Sequence, residues 1–112
     1  MDCIFCKIAN GQIPSSKVYE DDKILAFHDI NPEAKIHVLV IPKAHIESAN
    51  DINSDNSCIV SYIFEKIPVI ACLSGITNGY RIITNSGADS CQSVMHLHFH
   101  LLGGRKLGIG NI

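Results

Sequence analysis

Nothing in this 112-residue sequence marks a membrane or an export route. No run of apolar residues approaches the roughly eighteen needed to cross a bilayer, and Met1-Asp2-Cys3 lacks the basic stretch and apolar core of a secretion signal. The expected location is the cytosol, with the nucleus also open. A basic excess is missing too. Nine Lys and Arg stand against eleven Asp and Glu, a formal charge of −2. No broad positive field therefore draws a nucleic acid, whereas a small anion needs only local donors. An even set of cysteines is absent: there are five, which argues against a closed disulfide framework. Cys58 and Cys72 lie in an apolar, helix-like segment and are expected to pack as small hydrophobes, while Cys91 sits in a polar loop. There are no repeats, low-complexity tracts or linkers, and the length suits one domain over residues 1–112.

What the sequence does have is concentrated near its C-terminal end. Three of the six histidines, His96, His98 and His100, alternate with Leu97, Phe99 and Leu101, the period of two that marks a half-buried strand. All three imidazoles then share one face. The outer two are about 13 Å apart on a strand, too far for one metal whose bonds to nitrogen are about 2.0–2.1 Å. Such a row suits an extended anion, such as a phosphate ester. Ser93 before it and Gly103-Gly104 after it add a hydroxyl donor and two permissive backbone positions. Residues 85–93 are small or polar throughout, so the loop can aim backbone N–H groups inward as an anion nest, with Asn85 and Ser93 as side-chain donors.

The rest of the pattern predicts an α+β fold. A short helix over residues 2–9 starts at Asp2 as N-cap and carries Cys3 and Cys6 on one face; this C-x-x-C alone is open between redox, metal and packing roles. Lys17–Glu20 and 23–28 read as a hairpin around Asp21-Asp22, and 36–41 as a third strand that Pro42 ends. Ile59, Ile63, Ile67, Ile70 and Leu73 recur at helical steps, with Pro68 expected to kink or split the helix and Gly75 to stop it. Residues 80–84 and the histidine row complete a five-stranded antiparallel meander with one main helix. Asp29-Ile30-Asn31 ends the second strand, where a carboxylate could accept two ribose hydroxyls or cap a turn.

Gln92-Ser93-Val94 with His96-x-His98-x-His100 resembles the signature of the histidine triad (HIT) family of nucleotide hydrolases and transferases. Ile4-Phe5-x-Lys7-Ile8, Ile13-Pro14-Ser15, Val18-Tyr19-Glu20-Asp21-Asp22, Leu25-Ala26-Phe27-x-Asp29-Ile30-x-Pro32, His37-x-Leu39-Val40-Ile41-Pro42-Lys43-x-His45 and Gly79-Tyr80-Arg81 resemble its Hint branch in order, over nearly the whole chain. The resemblance implies a single HIT domain and a homodimer. It implies a nucleotidyl hydrolase that cleaves the P–N bond of purine nucleoside 5′-phosphoramidates to AMP or GMP. Phe5, Ile8, Phe27, Ile30 and Leu39 would enclose the base and Asp29 would bind the ribose, with Asn31, Asn85, Gln92, Ser93, Val94, His98 and His100 completing the nucleotide-binding set. His98 is expected as nucleophile, His100 as holder of the non-bridging oxygens, His37 as its support and Ser93 as assistant to the leaving amine. Cys3, Cys6, His45 and His96 match the zinc-bearing pattern of the family, a closed Cys2His2 set for a structural Zn2+. The alternatives are a nucleotide-binding scaffold with incidental hydrolysis and a dinucleoside polyphosphate hydrolase. A catalytic zinc on His96 and His98 would leave the two cysteines without partners. Two departures stand out: Cys91 occupies a position usually Gly, where a side chain crowds the loop or demands a negative φ, and the tail from Arg105 to Ile112 lacks the tryptophan of animal Hint proteins, which leaves the leaving-group preference open.

Overall fold

The computed structural model describes residues 3–109. Helix α1 (Ile4–Ala9) is followed by strands β1 (Lys17–Glu20), β2 (Ile24–His28) and β3 (Ile36–Pro42). Helix α2 (Cys58–Ser74), β4 (Tyr80–Ile83) and β5 (Phe99–Gly103) complete the chain, with short 3-10 turns at Ala49–Asp51 and Ala88–Ser90. Every pairing is antiparallel, but the sheet is not a simple meander. Its order is β1-β2-β3-β5-β4, so β5 inserts between β3 and β4. Helix α2 covers the crossover from β3, and β4 is left as an edge.

Both faces of the sheet's centre are covered, which is why β2 and β3 read as continuous apolar runs rather than as alternation. Ile24, Ala26, Val38, Val40, Leu97, Phe99 and Leu101 face α2, where Ile63, Ile67, Ile70 and Ala71 meet them. Leu25, Phe27, Leu39 and Ile41 face the other way, against Cys3, Phe5 and Ile8 of the α1 segment. The small α1 therefore covers only part of its face, and the remainder is where a cleft can form.

Several local expectations change. The α1 cap is Cys3, whose Sγ accepts the Cys6 N–H; Asp2 lies outside the described residues. Helix α2 runs unbroken through Pro68; Pro68 sits on the exposed side, where water can satisfy the carbonyl it orphans. Leu73, Cys58 and Cys72 are exposed, not core. Gly75 stops α2 in the left-handed conformation as expected. Gly103 and Gly104 serve packing more than flexibility. A Cβ on either would come within 3.0 Å of the Ile76 or Ile36 side chain, and Gly104 has φ +87°.

The β1–β2 turn is locked to α2 by one carboxylate. Asp21 Oδ1 accepts the N–H groups of Lys23 and Ile24, and Oδ2 accepts the hydroxyls of Tyr19 and Tyr62. Burial alone would raise its pKa, but the bonds from Tyr62, Lys23, Ile24 and Tyr19 outweigh it and hold the carboxyl far below its usual range.

Candidate active site and metal centre

The histidine row is not wholly strand. The β5 ladder begins at Phe99; His96 lies in a bend over residues 94–96, and His98 lies between that bend and the ladder. The alternation nevertheless holds. Leu97, Phe99 and Leu101 pack toward α2, and the imidazoles lie on the opposite side, with the His98 and His100 ring centroids 5.0 Å apart. Phe5 stands edge-on to His98 at 5.1 Å, to His96 at 6.0 Å and to Phe27 at 5.7 Å, so α1 is the wall against which the row is set.

His96, His98 and His37 each have a backbone partner that fixes where the ring proton sits. His96 Nε2 lies 2.8 Å from the Pro42 carbonyl oxygen. Because an oxygen acceptor demands an N–H there, His96 Nδ1 keeps its lone pair. That lone pair faces three other donors: Cys3 Sγ at 3.2 Å, His45 Nδ1 at 3.3 Å and Cys6 Sγ at 3.5 Å, with Cys6 Sγ 3.3 Å from His45 Nδ1. A four-coordinate ion with bonds of about 2.0–2.1 Å to nitrogen and about 2.3 Å to sulfur spaces its donors by about 3.3–3.8 Å. The four side chains therefore fit a zinc ion in number, type and spacing, and they tie α1 to the β3 end and the triad. Burial pushes the Cys6 thiol up, with Cys3 adding to it, so metal uptake displaces protons.

His98 is turned the other way. Its Nδ1 donates to the His96 carbonyl at 2.7 Å, and its own carbonyl accepts the Thr84 hydroxyl at 2.7 Å. In the neutral ring Nε2 then carries an unshared pair. Farther along, the Glu33 N–H donates to His37 Nδ1 at 3.0 Å, so the neutral His37 carries its proton on Nε2. This proton is given to His100 Nδ1 at 2.9 Å, and the Asp29 carboxylate lies 3.4 Å from the same nitrogen. His100 is left with N–H at Nε2, a donor. Burial lowers the pKa of His37 against the opposing pull of Asp29 and Glu33. Burial, then the neighbouring His98 and His37, push His100 down to about 4. Neutral rings at pH 7 are what these tautomers require.

Two openings meet at His100 and Ser93. An apolar cleft of about 290 Å³ is walled by Phe5, Ile8, Phe27, Ile30 and Leu39, with Asp29, Ser93, Val94, His98 and His100 along one side. A wider cavity of about 650 Å³ is lined by Asp29, Asn31, His37, Asn85, Cys91, Ser93 and His100. Ile30 is 91% exposed at the mouth. Gln92 does not reach either opening: its side chain accepts the Gly87 N–H and donates to the Glu47 and Val94 carbonyls, fixing the loop. Asp29 also caps a turn, Oδ1 accepting the Asn31 N–H at 2.9 Å. Cys91 does not demand a negative φ; it sits at φ +62° beside the wider cavity. The sequence reading gave no role to Thr84, to the Glu33 and Pro42 backbone groups, or to Pro14, Ser15, Ser16 and His28 in the cleft wall. Within the resemblance, Ile13-Pro14-Ser15 and the segment from His37 to His45 carried Pro14, Ser15 and Pro42, and the others had no signal.

The HIT domain model matches residues 10–107. A histidine triad protein from Clostridium difficile superposes with a TM-score of 0.93 at 55% identity, covering 97% of this chain and 96% of that one. A HIT family hydrolase from Legionella pneumophila gives a TM-score of 0.92 at 44% identity over 97% of this chain and 98% of that one. A 14 kDa zinc-binding protein from Zea mays is 44% identical over 93% of this chain and 83% of its own length. With its fold, its row of imidazoles and these likenesses in agreement, the chain belongs to the HIT family.

Proposed function

We propose that this protein is a hydrolase of nucleotide phosphoramidates that works through a nucleotidyl-histidine. The observation that carries the reading is the His98 tautomer. With Nδ1–H spent on the His96 carbonyl, Nε2 presents its lone pair beside an apolar cleft that has the Asp29 carboxylate in its lining. A purine fills such a cleft by stacking area. His98 Nε2 bonds to the α-phosphorus as the P–N bond breaks; the departing nitrogen keeps the electron pair and takes a proton from solvent through the Ser93 hydroxyl. Water then adds to phosphorus, the imidazole leaves, and a proton returns to solvent with AMP or GMP as product. His100 Nε2–H and the loop N–H groups receive the charge that builds on the non-bridging oxygens.

Cys3, Cys6, His45 and His96 would hold a zinc ion whose contribution would be structural, steadying the segment whose carbonyl orients His98. A closed set of four protein ligands would leave it no open position for substrate. A homodimer is part of the same proposal. The free edge of β4, with Tyr80, and the exposed Phe64, Val69 and Leu73 of α2 support it. Among the described residues no helix is long and apolar enough to cross a membrane.

The test is a fluorogenic adenosine 5′-phosphoramidate assay run beside an AMP titration on the wild type and His98→Asn. Turnover lost in the variant, with AMP affinity within about tenfold, upholds the reading. Wild-type binding without turnover replaces it with a nucleotide-binding scaffold, and faster turnover of diadenosine polyphosphates replaces the substrate.

A further inference from the structure

The Asp29, His37 and His100 donors lie within 4.8 Å of one another, a second group that resembles a metal site by composition. Its hydrogen bonds exclude that use. His37 Nδ1 receives the Glu33 N–H, so Nε2 must hold a proton and has no lone pair to offer a cation. What the group has instead is one N–H with two acceptors in reach: His100 Nδ1 at 2.9 Å and the Asp29 carboxylate oxygen at 3.4 Å. The carboxylate faces both openings, and its other oxygen is held by the Asn31 N–H. One acceptor is thus accessible to a ligand and the other is the ring that faces phosphate.

We infer that Asp29 and His37 are positioning residues through which ribose occupancy orients His100, so that the sugar hydroxyls act on kcat and not only on binding. Without a ligand, the carboxylate competes for the His37 proton. Two ribose hydroxyls donating to Asp29 spread its charge and weaken that pull. The His37 N–H then goes wholly to His100 Nδ1, and His100 is fixed with Nε2–H directed at the phosphate oxygens. Remote binding interactions used in this way raise the chemical step. The inference rests on the nucleotide reading above, because it needs a ribose at Asp29.

Two measurements test it. The first compares the 5′-phosphoramidates of adenosine and 2′,3′-dideoxyadenosine. With wild type, kcat falls at least tenfold for the dideoxy substrate in addition to any rise in KM. With Asp29→Asn, which keeps the shape but removes the charge, the two substrates differ in kcat by less than about twofold. Such a vanishing difference is the mark of coupling between the altered groups. A wild-type loss confined to KM, or a kcat difference that survives Asp29→Asn, overturns the inference while leaving the phosphoramidase reading intact. The second needs no turnover. Imidazole nitrogen shifts are followed as AMP or 2′,3′-dideoxy-AMP is added. AMP moves the His37 Nε2 and His100 Nδ1 signals and the dideoxy nucleotide leaves them near the free values; identical shifts with both overturn it. Absence of turnover with every phosphoramidate overturns the phosphoramidase reading instead, and the nitrogen shifts still decide the coupling.

Discussion

The set Cys3, Cys6, His45 and His96 and the set Asp29, His37 and His100 flank one row of imidazoles, and each gathers its donor atoms within 4.8 Å. They differ in the backbone group behind the key ring. His96 gives its Nε2 proton to the Pro42 carbonyl and turns a lone pair toward its neighbours; His37 accepts the Glu33 amide and turns a proton toward its own. The first arrangement suits a cation, the second suits passing a hydrogen bond along. His98, between them, follows the first pattern with nitrogens exchanged, so its lone pair meets the cleft instead of the metal set. Residue type tells which atoms are available, and the peptide group behind the ring tells what each one does.

The largest effect that would break this contrast is at His98. His98→Asn is expected to lower turnover by about 10⁴-fold or more, measured under single-turnover conditions, and residual activity near wild type would move the nucleophile to another ring. Next comes His37→Ala, for which kcat should drop about 100-fold while bound zinc, read by elemental analysis, stays at the wild-type level. Cys3→Ser should do the reverse, losing bound zinc and lowering the unfolding temperature by about 10 °C, with the wild type following it when chelated and recovering on zinc addition. If both variants lost metal equally, the two sets would not be distinct.

A gentler test uses acidity. His100 is held down to about 4 from an ordinary value of 6.5, so between those values the unfolded chain binds a proton that the folded one refuses. Stability contributed by this group is full above about 6.5 and is lost as the pH falls toward 4. Asp21, also held below its usual range, loses its contribution at still lower pH. Unfolding temperatures from pH 7 to 4.5 should therefore decline, and His100→Asn should flatten that slope. The smallest change is Cys91→Gly, which removes the left-handed strain at φ +62° and should stabilise by about 1 kcal/mol or less, seen as a small rise in denaturant midpoint.

Much of this was legible in residue order because it depends on period and type. The alternation around His96, His98 and His100, the β1–β2 turn and the Gly75 stop are local, and they read correctly. What escaped depends on contacts between distant segments. The place of β5 between β3 and β4 is fixed by pairing of His37 with Leu102 and of Ile83 with His100, which no local pattern announces. Cys58 and Cys72 looked buried because α2 is apolar nearly all round, yet the stripe buried against the sheet is Ile63, Ile67, Ile70 and Ala71. The N–H of Glu33 and the carbonyl of Pro42 could not be read as decisive, since every residue but proline has both groups.

The insertion of β5 between two strands made before it has a consequence for how the molecule comes off the ribosome. β1, β2 and β3 can pair as they emerge, but β4 has no neighbour until β5 is synthesised and slides into the gap. Closure of the sheet and arrival of His98 and His100 are then a single late event. A chain stopped short of that point leaves the β3 edge unpaired and lacks the imidazoles of His98 and His100.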